Sequence, residues 1–168
     1  MAYQMKVNLH EPSFGEEEIN TACDQMRSTQ VTMGKQVHAF EDQCATYFGS
    51  HHALMCNSGS SANLLAISAL SNPAYPKHMK PGDEVIVPAL SWATSVWPII
   101  QHQLIPVFVD CDMDTYNFDY EKLESAITSK TRAIMVVHVY GNPCDMDIIM
   151  ALAHKHNLYV IEDTCESM

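Results

Sequence analysis

Three groups of residues in this sequence have the types and the placement to do chemistry together. The first is Ser58-Gly59-Ser60-Ser61, which separates a short apolar run, His52–Cys56, from a longer one, Ala62–Leu70. If a helix begins there, its first N–H groups are unpaired and its dipole is positive, a combination that holds phosphate. Gly59 would let the backbone approach closely, and the serine hydroxyls would add donors. The same residues read equally well as a plain helix N-cap. The second is Trp92, in Ser91-Trp92-Ala93-Thr94, just past an apolar run at 84–87. Its ring could stack on a flat ligand, or it could be the core residue of an amphipathic helix. Trp97 has no such placement and is expected in the core. The third is Asp163, in IEDTCES, at the end of the apolar run Leu158–Glu162. A carboxylate in that position is costly unless paired; a protonated pyridine nitrogen would pair it, and a helix N-cap is the alternative. Phosphate cradle, ring stack and pyridinium partner are the parts that a pyridoxal-phosphate (PLP) site needs. Their joint occurrence carries more than any one of them.

Such groups need a scaffold that brings strand ends to one edge. Segment 15–28 opens with three acids, which suit a helix N-terminus. Segment 29–35 contains Gly34 and reads as a loop, and 36–49 places Val37, Phe40, Cys44 and Tyr47 at helical spacing before Gly49. The pattern then predicts a buried strand at 52–56, a turn at 57–61, a helix at 62–70 and a Pro- and Gly-rich loop at 71–83. Strands follow at 84–87, 105–109, 132–137 and 158–162, with helices at 91–101, 119–127 and 146–154. Pro98 falls inside the first of these helices, where it is tolerable only near an end or at a kink. Strands alternating with helices in this way predict an α/β fold with a mainly parallel sheet. Apolar runs such as AIMVV and LYVI suit strands buried on both faces. Ligands of such sheets bind outside the carboxyl ends of the strands. The ends near Asn57, Pro88 and Asp163 are therefore expected to face one cleft, with Ser60 within about 20 Å of Asp163.

Composition limits the partners. The 168 residues suffice for about one domain, and with 47% hydrophobic and 17% charged residues a core can be buried. Twenty acids stand against nine scattered Lys and Arg, for a net charge of -11. That argues against nucleic acid and anionic membrane as partners. None of Cys23, Cys44, Cys56, Cys111, Cys144 and Cys165 belongs to a CxxC pair, so no zinc or redox motif is visible. Several lie in apolar runs and are expected to be reduced, buried thiols of a cytoplasmic protein. Met1–Glu11 has no signal-peptide pattern, and the apolar stretches fall far short of the ~20 residues that span a bilayer. The last predicted strand ends a few residues before the end of the sequence with no helix to cover it, which suggests a truncated domain.

With these blocks in view, the chain resembles the DegT/DnrJ/EryC1/StrS group of PLP-dependent sugar aminotransferases. The resemblance runs from about Phe14 to Met168, through FGEEE, TMGKQVHAFEDQCATYFG, NSGSSANLLAISAL, KPGDEVIVPALSWAT, IPVFVDCDMDTYNFD, VVHVYGNPCDMD and IEDTCES. It implies the three-layer αβα large domain of PLP fold type I, of which residues 1–168 would form the N-terminal segment and part. The rest of that domain and a small C-terminal domain would lie beyond. By position, Ser58, Gly59, Ser60 and Ser61 match the family's phosphate-binding turn. Trp92 matches the aromatic that stacks on the PLP ring, and Asp163 the aspartate that pairs with its nitrogen. Glu166 stands where the aminotransferases often carry Gln or His near the ring's 3-hydroxyl. The resemblance places the Schiff-base Lys beyond Met168, so no catalytic residue is expected in this chain, and none of its own lysines takes that role. It further implies a cytoplasmic homodimer that takes PLP or pyridoxamine phosphate, a nucleotide-linked keto-sugar and glutamate as amino donor. One branch of the family has His in place of the Lys and removes a 3-hydroxyl. NSGSSANLL and EDTCES resemble that branch, while the family at large favours amination. A non-catalytic fragment is the remaining reading.

Overall fold

The computed structural model describes residues 11–167, which form two compact units divided after Met55. The stretch before Glu11, read above as free of a signal peptide, lies outside the described residues.

The first unit holds two helices, α1 (Glu16–Arg27) and α2 (Lys35–Phe48). Glu18 closes α1 at its start, its carboxylate accepting the Gly15 N–H at 2.7 Å. Gly49 ends α2 in the left-handed conformation, φ 66°, which glycine adopts without strain. Residues 52–56, predicted as a buried strand, pair with no other segment among the described residues, and Leu54 is exposed. An apolar run becomes a strand only where a neighbouring strand takes its N–H and C=O groups; here the Met55 N–H goes instead to the side chain of Glu41.

The second unit is the α/β layer structure expected. Its elements are α3 (Gly59–Leu70), β1 (Glu84–Pro88), α4 (Ala93–Gln101), β2 (Ile105–Val109), α5 (Tyr120–Ser125), β3 (Thr131–Val137), α6 (Met146–His156) and β4 (Tyr159–Asp163). The strands are all parallel, in the order β2-β1-β3-β4. Val85 and Val87 of β1 join Ala133 and Met135 of β3 on one face, packed with Ile67 of α3 and Ile99 of α4. Ile86, Ile134 and Val136 face the other way, against Leu123 of α5 and Ile149 and Leu152 of α6. The central strands β1 and β3 are thus covered on both sides, which explains their unbroken apolar runs, while Ile105 and Phe108 of the edge strand β2 stay exposed. The connection from β1 to β2 runs one way across the sheet with α4 on one face. Those from β2 to β3 and from β3 to β4 run the other way with α5 and α6 on the opposite face, as crossovers of a single hand require. The direction reverses between β1 and β3, so their carboxyl ends diverge and leave a crevice there.

Two further expectations need correction. Trp97 is not in the core: α4 turns Ser95, Pro98 and Ile99 inward, and Trp97 points away, 57% exposed. Of the six cysteines, all free, only Cys144 is buried, while Cys23 and Cys165 are exposed. Position in an apolar run does not bury a residue at the end of an element.

Candidate functional site

The predicted turn at 57–61 is the start of α3 itself. Ser58 is its N-cap, with Oγ accepting the Ser61 N–H at 3.2 Å. The capping role is therefore real, and it leaves Gly59 and Ser60 in the first turn, where N–H groups have no partner within the helix. One face of α3 carries Asn63, Ile67 and Leu70 inward. Asn63 is the polar member of that face, and it is buried.

Asn63 is aimed by a proline. Pro98 sits inside α4 and has no N–H, so the carbonyl of Thr94, four residues earlier, lacks its helical donor. Asn63 Nδ2 donates to that carbonyl at 3.4 Å and to Asp163 Oδ2 at 2.8 Å. Ser95, fully buried on the same turn of α4, donates its hydroxyl to Asp163 Oδ2, also at 2.8 Å. Asp163 ends β4 in register with Val137, the last residue of β3. It is 8% exposed, and its second oxygen accepts the Cys165 N–H at 3.3 Å. The four described residues after it form a turn. Two side chains from two helices thus fix one carboxylate oxygen of a buried aspartate. Among the described residues, no Lys, Arg or His forms an ion pair with it. A buried carboxylate so placed is suited to a cationic partner from a ligand.

Beside it lies a cavity of about 300 Å³ at the crevice between β1 and β3, lined by Trp92, Ser95, Val139, Tyr140, Cys165 and Glu166 among others. Trp92 stands at the N-cap of α4 and is 74% exposed, so the core reading of this residue falls. Glu166 faces the same cavity, and its carboxylate accepts the Tyr140 N–H. Ser60 and Ser61 line a second hollow of about 230 Å³ with Leu64, Thr94, Trp97 and Gln101. The first turn of α4 therefore separates the serines from Trp92. Asn63 is one turn beyond Ser60 on α3, and its contact with Asp163 puts Ser60 within about 15 Å of that carboxylate. The expected distance is kept, but the serines and Trp92 open on two separate hollows and not on the one cleft expected.

Asn63, Ser95 and Tyr140 were not singled out in the sequence. Asn63 could have been found as the polar residue on an apolar helix face, and Ser95 as the small polar residue at the core spacing of Ile99. The arrangement as a whole offers an anion near an aromatic face, together with the open N-terminus of α3. That set could hold a flat, cationic ring and a phosphate.

The chain matches the DegT/DnrJ/EryC1/StrS aminotransferase family over residues 12–168. It is 46% identical over 160 residues to the GDP-4-keto-6-deoxy-D-mannose 3-dehydratase of Yersinia pseudotuberculosis, covering 95% of this chain and 40% of that protein. It is 39% identical to the GDP-perosamine synthase of Caulobacter vibrioides, covering 97% of this chain and 42% of that one. Among solved structures, the Escherichia coli GDP-4-keto-6-deoxy-D-mannose-3-dehydratase with bound hydrated PLP superposes with a TM-score of 0.91 at 40% identity, over 99% of this chain and 42% of that chain. The present chain spans about 40% of the length of these relatives. With a match across both units and a shared fold, the chain belongs to the DegT/DnrJ/EryC1/StrS aminotransferase family.

Proposed function

We propose that this chain is the cofactor-holding part of a PLP-dependent enzyme acting on a nucleotide-linked keto-sugar. The observation that carries the reading is Asp163. It is buried and oriented by Asn63 and Ser95, lacks a cationic partner among the described residues, and lies beside the cavity that Trp92 faces. In this reading Asp163 keeps the pyridine nitrogen protonated and Trp92 covers a face of the ring. Ser58, Gly59, Ser60 and Ser61 at the start of α3 take the phosphate, and Glu166 borders the ring's pocket. Bound PLP supplies an electron sink for bonds broken at a neighbouring carbon. The protein's part is to bind the ring, fix its tilt and hold a proton on its nitrogen.

Two reactions fit the family. Removal of the 3-hydroxyl is favoured here over the amination expected of the family at large. The chain is 46% and 45% identical to two GDP-4-keto-6-deoxy-D-mannose 3-dehydratases, against 39% to the perosamine synthase. In this reading the substrate is a GDP-linked 4-keto-6-deoxy sugar, glutamate is the nitrogen donor, and the enzyme is a cytoplasmic homodimer.

The test uses the full-length protein with PLP, nitrogen-labelled glutamate and GDP-4-keto-6-deoxymannose, followed by mass spectrometry. A sugar product lighter by one oxygen and free of label establishes dehydration, and label in the sugar establishes amination. Unchanged substrate, with no PLP retained, defeats the proposal. Size-exclusion chromatography with light scattering checks the dimer.

A further inference from the structure

The loop after β3 is fastened to the loop after β4 more firmly than a simple connection to α6 requires. Tyr140 and Gly141 are consecutive residues of positive φ, 56° and 77°. That conformation is unfavourable for a tyrosine and needs something to hold it. Within the turn the Gly141 N–H donates to the His138 carbonyl at 3.1 Å and the Asn142 N–H to the Val139 carbonyl at 3.0 Å. The Tyr140 N–H, which these leave over, donates to the carboxylate of Glu166 in the loop after β4. At Gly141 the two loops come so close that a Cβ would lie 2.8 Å from the Glu166 carbonyl oxygen. The His138 ring, buried behind the turn, takes the Cys144 N–H on Nδ1 at 3.1 Å. Its own hydrogen is therefore on Nε2, 3.1 Å from Glu162 Oε2. The His138 N–H also reaches the Asp163 carbonyl at 3.4 Å. Residues 138–141 are thus joined to 162–166 on both sides of Asp163, and Tyr140, Cys165 and Glu166 all line the cavity that Trp92 faces.

We infer that Glu166 is a positioning residue: its carboxylate closes the Tyr140–Gly141 turn onto the loop after β4 and so sets one wall of the cavity, in place of the contact with the ring's 3-hydroxyl that its position in the family suggests. The identification of that cavity as the cofactor pocket rests on the function proposed above; the closure of the turn does not. The two can fail separately.

The experiment measures amide hydrogen exchange at residues 138–144 in the full-length protein, with and without PLP, alongside the pH dependence of the cofactor absorbance. Glu166→Ala removes the acceptor, and the Tyr140 amide should exchange at least about tenfold faster, the scale expected for losing a charge-assisted hydrogen bond. Glu166→Gln keeps an acceptor oxygen and should restore most of the protection, with the parental pH dependence of absorbance. Gly141→Ala leaves the carboxylate in place but cannot close the turn, so it should reproduce the fast exchange even if Glu166→Ala fails to fold. Unchanged exchange in both alanine variants overturns the inference. So does a Glu166→Gln protein whose turn stays protected while the pH dependence of its absorbance moves, because the carboxylate's charge would then act on the ring directly. A full-length protein that binds no PLP defeats the proposed function, and the exchange data still decide the role of Glu166.

Discussion

Replacing Asp163 by Asn in the full-length protein separates the charge of this residue from its shape. Asn63 and Ser95 both donate to the same oxygen, each at 2.8 Å. An asparagine must therefore turn its carbonyl oxygen toward them, since its amide group would meet two donors. Its NH₂ then occupies the place of the other oxygen, which accepts the Cys165 N–H at 3.3 Å. Only that long bond is lost to the fold, a cost of about 1 kcal/mol. Under the proposed pairing with the cofactor the change at the ligand is larger, because an acceptor anion becomes a neutral donor facing the ring nitrogen. Removing one partner of a buried charged pair costs about 3–5 kcal/mol, which corresponds to a loss of roughly a hundredfold to several thousandfold in rate. The assay is kcat/KM with GDP-4-keto-6-deoxymannose, next to urea unfolding and PLP absorbance. Loss of activity with near-parental stability is the expected result. Activity within a few-fold of the parent refutes the pairing, and gross unfolding refutes the orientation argued from Asn63 and Ser95.

Trp92→Ala should leave stability nearly unchanged, because the ring is 74% exposed. It should weaken PLP retention by about two- to twelvefold if stacking contributes about 0.5–1.5 kcal/mol, as read from cofactor titration; parental retention refutes the stacking role. Ile134 is fully buried between β3 and the α5–α6 layer, so Ile134→Val should cost about 0.5–1.5 kcal/mol and Ile134→Ala about 2–5 kcal/mol, and equal costs in urea unfolding count against the packing described. In the first unit, the Met55 N–H donates to Glu41 at 2.8 Å, and this bond, followed by that from His38, lowers the Glu41 pKa from its ordinary 4.5. A lowered carboxyl pKa means that its contribution is present above the ordinary value and is lost as pH falls through the folded one. A carboxyl NMR titration placing Glu41 at or above 4.5 contradicts the contact.

The second unit was legible because burial on both faces leaves a strong imprint. The runs at 84–87, 105–109, 132–137 and 158–162 all became parallel strands, within a residue or so of their predicted bounds. The run at 52–56, HALMC, is apolar but has no β-branched residue and did not, and pairing depends besides on a neighbour that composition cannot supply. The helix starts were shifted for a related reason. Ser58 was read as part of a turn before the helix, and capping geometry instead starts α3 at Gly59. Trp92 and Trp97 were assigned in opposite directions, and only the phase of α4 separates outcomes for them. With Pro98 and Ile99 inward, neither indole is in the core.

The least legible part of the candidate site is the support beneath it. Asp163 stands out in the sequence as a carboxylate ending an apolar run, but its usefulness depends on being held in one orientation, and that comes from Asn63, 100 positions earlier. The link passes through Pro98, which as a local signal indicates only a flaw in a helix. In the folded chain the flaw frees the Thr94 carbonyl, and that carbonyl and Asp163 share the two hydrogens of one amide. Replacing Pro98 by Ala would give Thr94 a helical donor and release Asn63 from one of its two anchors. The proline is therefore best understood as part of the apparatus that aims Asp163, and its cost to the helix is offset at the strand end it serves.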